Sequence, residues 1–133
     1  MTELAHYIDG QRVAGKSGRN QPVFNPATGE AQASVALASK AEVDAAVASA
    51  KAAFKEWGVT PALRRARILD KFKSILWERA DKLAAAISLE HGKTHDDALG
   101  EVTRGIEVVE FAVGAPHLLK GDYTEEVLSL IHI

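Results

Sequence analysis

Hydrophobic and polar positions change period once along this chain, near residue 39. Before that point the pattern is short and strand-like. HYIDGQRVA (6–14) reads as two brief strands about a turn, with Asp9-Gly10 at the tip because both positions tolerate positive φ. Gly15, Gly18, Asn20 and Pro22 make 15–22 a loop, Val23-Phe24 is a brief strand, and Asn25-Pro26-Ala27-Thr28-Gly29 is a turn. Weak alternation of Ala31, Ala33, Val35 and Leu37 predicts one more strand.

After residue 39 the period is helical. Ser39 and Glu42 form an S-x-x-E capping box, Val43, Ala46, Val47, Ala50, Phe54 and Trp57 mark one face, and Gly58 is the stop. Thr60-Pro61 opens a second helix, with Thr as N-cap, Pro at the first helical position, and Leu69, Phe72, Leu76 and Leu83 as its buried stripe. A break is predicted near Arg79–Asp81, with Asp81 capping a helix that runs to His91 and stops at Gly92. Thr94 and Asp97 cap a fourth helix with the ladder Leu99, Val102, Ile106, Val109, Val113. Val108 and Phe111 fall on its other side, so it is apolar on two faces and is expected to be sandwiched; Pro116 ends or kinks it. The chain is thus β-rich over 1–38 and helical over 39–120, an α+β arrangement with about four helices.

The last residues depart from this order. LSLIHI (128–133) would be a lone strand, and the transposon end used in common sequencing libraries reads, in one frame, as these six residues. Residues 128–133 are therefore expected to be a non-native tail, with the true chain continuing past Val127.

Composition narrows the function classes. The 133 residues carry a net charge of −2 and 47% hydrophobic residues, a globular balance with no general attraction to nucleic acid or an anionic membrane. No cysteine is present, which excludes disulfides, thiolate zinc sites and a cysteine nucleophile within these residues. The start MTELAHYIDG lacks the basic and apolar regions of a secretory signal, and no run reaches membrane-span length; a cytoplasmic location is expected.

One stretch matches a phosphate-binding motif letter for letter. GQRVAGKS (10–17) fits G-x-x-x-x-G-K-[ST]. The motif needs a buried strand before it and a helix opening at the Lys-Ser. A hairpin precedes it here, and Gly18, Pro22 and Pro26 forbid a helix after it, so 15–17 is expected to be a loop without ATP binding. His91 and His95 stand four apart beside Asp96 and Asp97, but Gly92 and Thr94 break the helix that such metal-ligand spacing assumes, and no metal site is expected. Arg64, Arg65, Arg67 and Lys71 lack interleaved aromatics and read as a solvated face partly paired with Asp70. Arg104 lies mid-helix opposite Val102 and Ile106, flanked by Gly100 and Gly105. On spacing it pairs with Glu101 or Glu107, each three residues away; the alternative is presentation to an anionic ligand, where the guanidinium fork suits a carboxylate.

Several stretches, in this order and spacing, resemble the aldehyde dehydrogenase superfamily: YIDGQRV, VFNPATGE, ALASKAEVDAAVASAKAAFKEW, PALRRARILDKF and ISLEHGKTHDDALGEV. GEVTRGIEVVEFAVGAPHLLKGDYTEEV is similar more narrowly to the CoA-acylating methylmalonate-semialdehyde dehydrogenases, where G-E-V-x-R-G-x-E-x-V-E-[FH] is characteristic. The resemblance implies a longer α/β parent, of which residues 1–127 are the N-terminal part of the NAD-binding domain. It implies oxidation of methylmalonate or malonate semialdehyde through a cysteine thioester, with NAD and CoA as cofactors and propionyl-CoA or acetyl-CoA and CO₂ as products. A soluble homo-oligomer, a tetramer, acting on a small semialdehyde without nucleic acid or membrane partners follows from the same resemblance. The chain as given would be inactive, with no catalytic and no cofactor-binding residue of its own. One residue carries over: Arg104 matches the arginine that recognises the substrate carboxylate. The alternatives are another aldehyde dehydrogenase subfamily, whose motifs are largely shared, and a stand-alone helical module that binds a protein partner. The first reading predicts an exposed apolar side on the fourth helix, because its partner layers are missing.

Overall fold

The computed structural model describes residues 2–119. The proposed tail at 128–133 and the end of the family-like stretch lie outside the described residues. The order is β1 (Thr2–Leu4), β2 (His6–Ile8), β3 (Gln11–Val13), β4 (Asn20–Phe24), β5 (Ala31–Ala36), α1 (Lys40–Trp57), α2 (Ala62–Glu78), α3 (Ala80–His91), α4 (His95–Val113) and α5 (Ala115–Leu118). This is the expected α+β order, with a fifth, four-residue helix at its end.

Two compact units divide these elements. The first takes in the chain up to Gly58 together with Ile87–Lys93. Here β2 and β3 form an antiparallel hairpin, with Tyr7 opposite Arg12. Its tip is Asp9-Gly10 at φ 54° and 71°, the two left-handed residues that a tight hairpin turn matching strand twist requires. A separate three-stranded sheet has the order β1-β5-β4, with β1 parallel and β4 antiparallel to β5. β4 begins at Asn20, so the predicted 15–22 loop is shorter than expected. Pro22 sits within β4, where only one edge is paired and its missing N–H is harmless. The Asn25–Gly29 turn is held by Gly29 N–H on Asn25 O at 2.8 Å and Ala27 N–H on Asn25 Oδ1 at 2.9 Å.

α1 starts on the predicted capping box and ends before Gly58. None of its residues is buried: of the predicted face, Val43, Val47, Ala50, Phe54 and Trp57 are exposed and Ala46 is half-buried.

The second unit takes in Val59–Ala86 and the chain from Thr94 onward. There α2, α4 and α5 pack on one another. α2 opens with Pro61 as N-cap rather than Thr60, one residue later than expected. Its buried side also differs. Leu69 and Leu76 of the predicted stripe are half-buried and Phe72 is exposed, while Ala66 is buried; Leu83 falls in α3, where it is exposed and Ala80 and Ala84 are buried. Asp81 lies inside the first turn of α3, the break before it falling at Arg79. α4 supplies the centre of this unit's core through Ala98, Val102 and Ile106, the last only 2% exposed. Lys73 bridges α2 to α4, with Nζ 3.2 Å from Asp70 and 3.4 Å from Glu110. Those two carboxylates, Asp70 first, hold its ammonium above the usual lysine range.

Candidate functional site

The GQRVAGKS segment takes a course that a phosphate cradle cannot use. Lys16 N–H donates to Glu42 Oε1 at 2.7 Å, and Ser17 Oγ–H donates to Leu37 O. Arg19 adds Nη2 to Ala38 O at 2.7 Å. The main-chain donor and the hydroxyl that the motif would aim at phosphate and metal are engaged by the chain itself, and a strand, not a helix, follows. The Glu42 carboxylate also accepts Ser39 N–H at 2.8 Å and the Ser39 hydroxyl at 2.7 Å. These donors, the Ser39 amide first and then that of Lys16, pull its pKa down from 4.5 to about 2. The capping box was legible from Ser39 and Glu42; the second task of Glu42, fixing the loop at Lys16, was not, because nothing local links residues 26 apart.

The histidine pair is split between two helices. Gly92 takes φ 83° and Thr94 Oγ1 accepts from Asp97 N–H, so His91 closes one helix and His95 opens the next. His95 Nε2 instead lies 3.9 Å from Asp81 Oδ1. Among the described residues no three His, Cys, Asp or Glu side chains gather as a metal would require. The basic cluster on α2 is solvated at Arg64, Arg67 and Lys71. Asp70 pairs with Lys73 rather than with these arginines.

Arg104 is the residue around which a site can be built. It projects from the exposed side of α4, opposite the buried Ala98, Val102 and Ile106. Val108 and Phe111 share that side at 69% and 70% exposure, one and two turns further on. One turn back is Gly100, where a β-carbon would stand 3.9 Å from Arg104 Nη1. Against the expectation from spacing, Arg104 makes no ion pair or hydrogen bond among the described residues. The guanidinium lies back toward the preceding turn, as helical side chains do, and that turn offers it glycine. The arrangement is a free cationic fork beside an uncovered apolar strip, able to take a small anion that also has an apolar part.

The residues carrying this strip lie within a wider match. The sequence profile of the aldehyde dehydrogenase family covers residues 13–131. The chain belongs to the aldehyde dehydrogenase family. It is similar to malonate-semialdehyde dehydrogenase 3 of Geobacillus kaustophilus (strain HTA426), 52% identical over 130 residues, which is 96% of this chain and 27% of that protein. A solved structure assigned as methylmalonate-semialdehyde dehydrogenase from Sinorhizobium meliloti 1021, complexed with NAD, superposes with a TM-score of 0.89 at 56% identity, covering 94% of this chain and 26% of that one. The methylmalonate-semialdehyde dehydrogenase of Oceanimonas doudoroffii gives 0.88 at 48% identity over 96% of this chain and 26% of its own. The chain spans about a quarter of the length of these aldehyde dehydrogenases. Family membership sets aside the alternative of an unrelated helical module.

Proposed function

We propose that this chain is the N-terminal part of the NAD-binding domain of an aldehyde dehydrogenase that oxidises malonate or methylmalonate semialdehyde. The parent passes the acyl group to CoA with loss of CO₂, giving acetyl-CoA or propionyl-CoA. Hydride acceptance and thioester exchange are the chemistry that NAD, the cysteine and CoA supply, and no step of it is assigned to residues of this chain, which contains no cysteine. The part played here is recognition. Arg104 holds the substrate carboxylate by a charge-assisted fork, which orients the aldehyde end away from α4 toward the catalytic residues of the parent.

The observation that carries this reading is the unpaired guanidinium of Arg104 beside Val108 and Phe111, a pairing of charge and apolar surface that suits a short carboxylated aldehyde. The similarity to proteins named for semialdehydes that bear a carboxylate points the same way. The test is Arg104→Ala in the full-length enzyme. Loss of a charged hydrogen-bonding partner is worth about 1.5–3 kcal/mol, so kcat/KM for a semialdehyde with a carboxylate is expected to fall roughly 10- to 100-fold relative to one without. Unchanged discrimination between the two substrates refutes the assignment.

A further inference from the structure

The residues four either side of Arg104 are Gly100 and Val108, and neither can neutralise it; Glu101 and Glu107, three either side, form no ion pair with it in the structure. Glutamate, common on exposed helix faces, stands at 101, 107 and 110 of this same helix, but not at 100 or 108. The i−4 position is the one that a helical side chain covers, because Cα–Cβ bonds tilt toward the N-terminus. The guanidinium follows that rule, with Nη1 3.9 Å from where a Gly100 β-carbon would stand, ordinary contact distance. A methyl group would therefore fit, and what the glycine leaves open is the space beyond it. Glycine in a helix interior costs about 0.5–1 kcal/mol relative to alanine, so its place within α4 asks for a compensating role.

We infer that Gly100 is a positioning residue for carboxylate recognition: by presenting neither bulk nor charge on the turn over which Arg104 lies, it keeps the guanidinium unpaired and accessible to the substrate's anion. This rests on the assignment of Arg104 as the carboxylate-binding residue. A glutamate at 100 would stand four residues N-terminal to Arg104, the better orientation for a helical acid–base pair, and would compete with the substrate for the same fork. A glutamine there has the same length and no charge.

The test is a comparison of Gly100→Glu and Gly100→Gln in the full-length enzyme. Each is read as the ratio of kcat/KM for a carboxylate-bearing semialdehyde to that for a carboxylate-free aldehyde of similar length. This ratio does not depend on how much of the preparation is folded, and a helix merely distorted at 100 would move both substrates together. Competition for the fork lowers the ratio by roughly tenfold or more in Gly100→Glu, mainly through KM, and by roughly threefold or less in Gly100→Gln. Equal ratios in wild type and Gly100→Glu, or an equal fall in both variants, overturns the inference. Should Gly100→Glu yield no soluble enzyme, Gly100→Asp, one methylene shorter, carries the same expectation and the same refutation. Failure here is distinct from failure of the parent assignment. If Arg104→Ala lowers the ratio while the acidic substitution at 100 does not, only the role of Gly100 falls; if Arg104→Ala leaves the ratio untouched, both do.

Discussion

Glu42 shows how one side chain can serve two parts of a fold. It closes the N-terminus of α1 through Ser39 and holds the loop at Lys16, and three donors converge on its two oxygens. Its carboxyl titrates at about 2 in the fold against 4.5 ordinarily. A group with a depressed folded pKa contributes stability that is present above the unfolded value and lost as pH falls through the folded one. Urea midpoints of wild type and Glu42→Gln are therefore expected to differ most above pH 4.5 and to converge as pH falls toward about 2. A gap that stays constant over that window would show that the charge is not what matters. At the same scale Arg104 was legible as a residue of interest but not as a free one. Spacing offers it Glu101 and Glu107; in the structure the guanidinium lies toward Gly100 instead.

Among the elements, starts and stops were the most readable. The Ser39 box, the Arg79 break, the Thr94 cap and the Gly92 stop are all local chemistry, settled within one turn of chain. Gly92 also has a non-local duty. It takes φ 83°, and a β-carbon on it would come within 2.9 Å of Pro26 Cγ. Gly92→Ala is expected to cost about 1–3 kcal/mol in urea-midpoint measurements, since left-handed strain and the clash act together. Gly92→Asn, which tolerates the left-handed region but keeps the β-carbon, is expected to recover only part of that loss. Strand ends were less readable. β1 has no periodic signal in three residues and exists because β5 offers a parallel edge some thirty residues away. β4 extends back to Asn20 for the same reason, pairing with Ala36.

Across the whole molecule, the described core is made mostly of alanine, with Val102 and Ile106 the larger members, while Val47, Phe54, Phe72, Val108 and Phe111 stand exposed. The expected uncovered side of α4 is present, and α1 has one as well. The chain spans about a quarter of its relatives' length, and contiguous apolar faces of this kind bind hydrophobic dyes. The 133-residue chain is therefore expected to enhance ANS fluorescence well above the level of an equimolar full-length parent. Equal signals from the two would show that these faces are not covered in the parent.

The sequence by itself determined the helix ends at Ser39, Gly58, Gly92 and Thr94, the Asp9-Gly10 hairpin, and the family. Each rests on short-range rules of caps, turns and φ, or on motifs carried in order along the chain. Only the tertiary structure decided which faces of α2, α3 and α4 are buried, that Lys73 rather than an arginine pairs with Asp70 and Glu110, that Glu42 ties down Lys16, and that Arg104, over Gly100, has no partner among the described residues. Those outcomes depend on which surfaces meet. A helix with apolar residues on two sides carries no local instruction about which side will be covered, so the choice waits for its neighbours.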